Sequence, residues 1–428
     1  MAFDFSGRLA SLRFDLAWLP SGPEEASERD CVAEIGIALD DLDLLMAHDT
    51  FSQTVRPTTR LSAYRLASWL ASNWWRLRWE PPTDDLGWRM SHEISAIGGG
   101  YVWPHIAFAS DGEIVGVHAR PTFGGAFEPI AYLHGVDAAV AAETFERAVD
   151  DIVDMTVARL RDIGHGQDGL AALWEEIREE RTDSDATQHR RLEALAGYDP
   201  DDIPPALLKE LIAVGNAWGR HVADEFAAGL KHASAGIGDA LERAATSAFS
   251  MPTPSPRSLR VRGNHANRPW ERGYAIAEAF RSEAGLGLDP LVAETAAQPQ
   301  DSTGTPVGLA FRADPMADEI RVSLAKRHPR SRRFELMCLV GGHLARRTAD
   351  GIIAVTSAST AQQKLQRAFA AEALCPIEGI LDMIEGKTAN DDFLQVVADR
   401  YEVSPMVVEW QLRNRAPQVL IPGRDLAP

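Results

Sequence analysis

Apolar and polar positions alternate from Leu12 to Trp18. Leu12, Phe14, Leu16 and Trp18 fall on one side and Arg13, Asp15 and Ala17 on the other, which predicts a half-buried strand. Ile35, Ile37 and Leu39 followed by Leu42 and Leu44, around Asp40-Asp41, predict a hairpin. The period then changes. Leu66, Trp69, Leu70, Asn73, Trp74 and Leu77 recur at helical spacing, predicting a helix over 63–79. A second hairpin is expected from 101–108 and 113–119, because Ser110-Asp111-Gly112 supplies a residue that tolerates positive φ.

From Val136 onward the pattern reads as helical. Asp137 is placed to cap a long helix running to Arg161. Further helices are expected over 169–180, 206–230 and 234–247. Met251-Pro-Thr-Pro-Ser-Pro-Arg-Ser258 alternates proline with small or polar residues and reads as a semi-rigid linker. Beyond it come a helix over 267–283, strands over 307–311 and 319–324, and helices over 334–346 and 361–374. Shorter helices follow over 378–384 and 391–400 and after Val403. The fold class this predicts is α+β. The expected parts are a mixed, Trp-rich N-terminal domain (1–135), a helical region (136–250), the linker (251–258) and a mostly helical C-terminal domain with a small sheet (259–428).

Charge sharpens that division. The chain of 428 residues carries a formal net charge of −19, but residues 1–250 hold 21 Lys and Arg against 41 Asp and Glu, and residues 251–428 hold 22 against 21. An acidic half of that size is repelled by a phosphate backbone, which argues against sequence-independent nucleic-acid binding there. The three cysteines, Cys31, Cys338 and Cys375, lie far apart and fit free thiols in a reducing compartment. No apolar run reaches the ~18 residues of a membrane helix, and Met1–Arg8 lacks the basic start and apolar stretch of a signal peptide. The expectation is a cytoplasmic protein with no membrane span.

Six of the eleven tryptophans, Trp69, Trp74, Trp75, Trp79, Trp88 and Trp103, fall in one short region, with Arg76 and Arg78 interleaved. One reading is a stacking platform or an independent active site built from Trp74, Arg76, Arg78, His92 and His105. The other is an aromatic core with both arginines on its outer face; helical spacing of tryptophan favours the core.

The most informative stretch is 331–376. It contains Arg332-Arg-Phe-Glu-Leu336, then Met-Cys-Leu-Val-Gly-Gly-His343, and later Phe369-Ala-Ala-Glu-Ala-Leu-Cys-Pro376. Before it stand Trp270–Glu283 with Leu286-Gly-Leu-Asp-Pro290 and Ile320–Leu324, and after it Ala398-Asp-Arg-Tyr-Glu-Val-Ser-Pro-Met-Val-Val408. In this order the pieces resemble the ImmA/IrrE-type zinc metallopeptidase domain over residues 266–420. The resemblance implies a zincin-like helical fold, and in active members it implies His-Glu-x-x-His on one helix and an acidic ligand on the next. In the register set by Arg333-Phe334, those motif positions are Cys338, Leu339 and Gly342. His343 is one residue late, about 100° round the helix. The turn before Phe369 offers Gln363, Lys364, Leu365 and Gln366 and no carboxylate.

No catalytic residue, metal ligand or cofactor is therefore assigned. The resemblance implies a degenerate copy acting as a non-catalytic regulator or sensor, in bacterial stress-response, mobile-element or phage-defence settings, on a protein partner. Candidate groove residues are Cys338, His343, Glu372, Arg332 and Arg333, with His343 expected at a surface or helix end. Two alternatives stay open. One is a metallopeptidase or other hydrolase with a non-standard site. The other is a nucleic-acid-linked factor using the basic residues of the C-terminal half, where Val403–Arg415 resembles a helix-turn-helix offering Gln411, Arg413 and Arg415.

Overall fold

Helices and small antiparallel sheets alternate along the chain, giving an α+β fold. The computed structural model describes residues 9–19, 26–123, 129–166, 168–229, 236–254, 256, 259, 268–291, 307–313, 318–345, 351–384 and 388–422. Two units are distinguished, Met1–Ile203 and Pro204–Pro428.

In the first unit the predicted strand Leu12–Trp18 pairs antiparallel with Val32–Leu39, which turns through Asp40 (φ 49°) into Leu42–Asp43. Thr59–Ser62 also joins Val32–Leu39. The predicted second hairpin forms from His105–Ser110 and Ile114–Arg120, with Gly112 at φ 96° in its turn. A third small sheet joins Thr54–Arg56, Ala47–Asp49 and Ile130–Tyr132. The core between these sheets and the helices Ala63–Ser72 and Ala142–Asp162 buries Ile35, Leu66, Leu70, Trp74, Phe108, Val117, Phe145 and Ile152.

Three expectations for this unit change. The helix over 63–79 divides at Asn73, whose side-chain amide and backbone N–H both bond the Trp69 carbonyl, so Trp74–Trp79 starts a new axis. Val136–Ala141 is a strand on Ile114–Arg120, and the helix begins only at Ala142. The pairing edge of Ile114–Arg120 takes up these backbone groups, so Asp137 is no cap. Its carboxylate instead meets His118 (2.8 Å) and Arg120 (2.9 Å), and both hold it below the usual carboxylate range. A helix at Ser184–Leu195, capped by Asp183, was not expected from the pattern.

The second unit is built on four antiparallel strands in the order Phe249–Pro252, Glu319–Ser323, Gly308–Phe311, Ile352–Val355. The supposed linker thus begins as an edge strand, where proline is tolerated because an edge N–H needs no ladder partner; residues 255, 257 and 258 lie outside the described residues. The helices Pro269–Glu283, Pro329–Leu344 and Ala361–Leu374 carry the core, with Leu336, Leu339, Phe369, Leu374 and Tyr401 fully enclosed. The helix expected over 206–230 is two, Pro205–Trp218 and Arg220–Gly229. They are separated by Gly219 at φ 115° and ψ 146°, a conformation that only glycine adopts freely. The boundary at 203/204 runs through the stretch that periodicity alone assigns to one helical region. Periodicity reports which face of a helix is buried, not which core buries it.

Candidate functional site

The helix Pro329–Leu344 starts with proline at its first position, where the missing N–H costs nothing. From Glu335 to Leu344 every residue is buried, so this part of the helix is enclosed on all faces. That explains why His343, expected at a surface, is 0% exposed. The two glycines near its end permit contact with the helix Ala361–Leu374. A Cβ on Gly341 would lie 2.6 Å from the Phe369 ring, and one on Gly342 would lie 2.5 Å from Gln366 Nε2 and 2.6 Å from Ile353 Cγ2. At this end, the space expected as a groove between these helices is taken up by Phe369, Gln366 and Ile353.

Zinc does not fit the residues found here. Gly342 stands where the resemblance puts the second histidine, and an imidazole there would need the volume held by Gln366 and Ile353. Cys338 stands at the first position as a fully buried thiol, pushed up to about 12 by burial. Among the described residues no group of three or more His, Cys, Asp or Glu is arranged to hold a metal ion.

Beside this packed seam lies a polar cluster that the sequence did not point to, centred on Glu225 of the helix Arg220–Gly229. Glu225 as a residue is 8% exposed. Thr360 Oγ1 donates to its Oε1 (2.7 Å), Gln363 Nε2 to its Oε2 (2.8 Å), and Thr356 Oγ1 more loosely to Oε2 (3.4 Å). Gln363 is itself held at both ends of its amide, accepting from Thr356 N (3.0 Å) and donating to Ala354 O (2.9 Å). Thr360 caps the helix Ala361–Leu374 by accepting from Gln363 N. Arg367 donates to the carbonyls of Thr356 (3.0 Å) and Ala358 (2.5 Å), fixing the loop 356–360. Burial pushes the Glu225 carboxyl up to about 7, against the lowering effect of the Thr360 and Gln363 hydrogen bonds. One turn on, Gln366 is fully buried with neither amide end hydrogen-bonded, a cost of order 1–3 kcal/mol. A signal for this cluster was available in the Thr-Ser-Ala-Ser-Thr run, 356–360, followed by Gln363 and Gln366. The partner carboxylate, 131 residues before Thr356, was not.

The candidate groove residues do not converge on one surface. Cys338 and His343 lie inside the enclosed helix. Glu372 accepts from Gln411 Nε2 (2.7 Å) and the Ile377 backbone and pairs with Arg415 (2.7 Å), which ties the C-terminal helix Pro405–Arg415 to the core. Arg333 is buried and donates to Tyr401 O (3.2 Å), Leu291 O and Glu402 (2.7 Å). Arg332, half-buried, is the next residue back on the same helix. In the helix-turn-helix-like segment, Gln411 and Arg415 point inward to Glu372, and Arg413 pairs with Glu409 (3.1 Å). The side chains a DNA reader would need are thus engaged within the unit.

In the first unit, Trp74 is a core residue set edge-on to Trp174 at 5.8 Å. Arg76 and Arg78, expected on an outer face, are buried. Arg76 pairs with Glu80 (2.7 Å) and Asp199 (3.0 Å), while Arg78 pairs with Glu146 and donates to Gly112 O (3.0 Å). His92 stacks on Trp88 at 4.3 Å, and its ring nitrogens face the carbonyls of Trp88 and Arg76. Burial drives its imidazole down to about 4. His92 meets Arg76 through the Arg76 carbonyl, while His105 is exposed and bonds Glu93 (2.9 Å). Trp79 lies between the guanidiniums of Arg78 (3.8 Å) and Arg191 (4.0 Å). These cations are taken up by carboxylates and rings of the same unit, which is the arrangement of a charged core rather than of a binding platform.

No helix among the described residues is long and apolar enough to cross a membrane. No family model matches the chain, and neither does any curated protein or solved structure.

Proposed function

We propose that this chain is a non-catalytic regulatory or sensor protein, carrying a degenerate ImmA/IrrE-type domain over 266–420 and acting on a protein partner. The observation that carries this reading is the packing at Gly342, where Gln366 and Ile353 occupy the room a second zinc-binding histidine would need. Leu339 in place of the base and the buried thiol of Cys338 point the same way. A hydrolase built in the first unit gains no support, since His92 and His105 do not share a site and the buried arginines are neutralised. Elemental analysis of the purified full-length chain, after dialysis in metal-free buffer, tests the proposal. No stoichiometric zinc and no cleavage of a denatured protein substrate are expected. One equivalent of zinc per chain, with cleavage abolished by a chelator, would overturn it.

A further inference from the structure

We propose that Glu225 is a proton-operated latch: protonated, it holds the helix Arg220–Gly229 against the loop 356–360 and the start of the helix Ala361–Leu374, and ionised, it lets that helix go. The latch goes beyond the regulatory reading and does not depend on it.

Three features of the geometry carry this inference. First, among the described residues the hydrogen-bond donors to the Glu225 carboxylate are neutral, the hydroxyls of Thr356 and Thr360 and the amide of Gln363. Glu372, also buried, has Arg415 against it at 2.7 Å, and Glu335 accepts two backbone N–H groups at 2.9 and 3.0 Å. Arg367 acts on the Glu225 carboxylate only through space, its guanidinium being bonded to the carbonyls of Thr356 and Ala358, so desolvation outweighs it and the closed form prefers the neutral acid. Second, the carboxylate sits on a ten-residue helix joined to the helix before it through a single glycine, Gly219, at a φ of 115°. Third, the helix approaches the loop as closely as a missing side chain allows. A Cβ on Gly229 would stand 2.6 Å from Thr356 Cβ, so closure is a fitted contact rather than a loose one.

The charged neighbours do not change the sign. Asp224, on the same helix, raises the Glu225 carboxyl further, and Arg367, on the facing helix, lowers it without bonding it. The strand Ile352–Val355 brings no titratable side chain, and the loop 356–360 brings only hydroxyls and alanine. On the neighbouring helix Pro205–Trp218, Lys209 is exposed and Glu210 accepts from the N–H groups of Gly236 and Ile237. His221, one turn before Glu225, is mostly exposed and lies 3.9 Å from Asp224. An acid whose closed-state value is raised from 4.5 to about 7 favours closure fully below 4.5 and loses that preference as pH rises through 7. The closing equilibrium falls on the order of a hundredfold across that window.

Hydrogen exchange of the full chain read by mass spectrometry at pH 6.0 and 8.5, corrected for intrinsic exchange, tests the latch. Protection of peptides spanning 220–229 and 356–363 should drop at least about tenfold at the higher pH, with the first unit unchanged. Glu225→Gln should remove the difference. In the wild-type chain, the infrared band of a protonated carboxyl should disappear with the same midpoint, near 7, which keeps the test decisive if the variant does not fold. Equal protection at both pH values, an undiminished drop in Glu225→Gln, or an infrared midpoint near that of a free carboxyl overturns the proposal.

Discussion

At the residue scale, Arg76 and Glu80 show how this chain places charge inside a core. Both side chains are nearly dry, and the guanidinium reaches Glu80 at 2.7 Å and Asp199 at 3.0 Å. Removing one member of such a pair strands the other, which costs far more than the pair contributes. Arg76→Ala is expected to destabilise the first unit by about 3–5 kcal/mol, whereas Arg76→Met combined with Glu80→Leu recovers most of that loss. Urea unfolding followed by tryptophan fluorescence distinguishes the two variants. Equal losses in both would mean that packing, not charge, dominates at this position. The same logic applies to Glu225, with one difference: among the described residues no cation hydrogen-bonds it, so its charge is regulated by protons instead.

At the scale of elements, contact between the helices of the second unit depends on missing side chains. Gly273 on Pro269–Glu283 faces Ala361–Leu374 so closely that a Cβ would lie 2.4 Å from the Leu365 carbonyl oxygen and 2.9 Å from Ala368 Cβ. Alanine gains about 1 kcal/mol of helix propensity over glycine, but it forces a backbone carbonyl to move, at a cost of about 1–3 kcal/mol or more. The clash wins. Gly273→Ala should lower the urea midpoint of the second unit, and a neutral or stabilising result would show slack between these helices. Leu336, Phe369 and Ala370, from the stretches 332–336 and 369–376 that the sequence singles out, are all in the core. The filled groove was not legible, because whether two helices leave a cleft depends on side chains from both, here Gly342 and Gln366.

At the scale of the whole molecule, the two units have separate hydrophobic clusters, one drawn from Leu12 to Ala194 and the other from Met251 to Ile421. A chain with a protease site inserted between Ile203 and Pro204 should be cut into halves that each keep helical circular dichroism and a cooperative thermal transition. Loss of structure in either half on cleavage would show that its core is incomplete. The two units divide at 203/204, whereas charge and proline content put a boundary near residue 250. The charge balance does change there, but the Phe249–Pro252 backbone is already paired to Glu319–Val322 of the second unit's sheet. Pro252 falls at its edge, where a strand needs no further N–H.

The sequence by itself determined the local grammar: Leu12–Trp18 and its hairpin partner, the Ser110-Asp-Gly112 turn, and most helices from Pro269 to Arg415. Period, caps and turn residues act over a few positions and are written in the chain. It also determined the absence of the zinc motif, which is a matter of residue identity. Only the tertiary structure decided that Val136–Ala141 is a strand, since the open edge of Ile114–Arg120 competes with helix formation. It alone put His343 inside the enclosed part of its helix, turned Gln411 and Arg415 inward to Glu372, and brought Glu225 to Thr360 across 135 residues. Burial and long-range polar pairing depend on what arrives from elsewhere in the chain, and no local pattern encodes them.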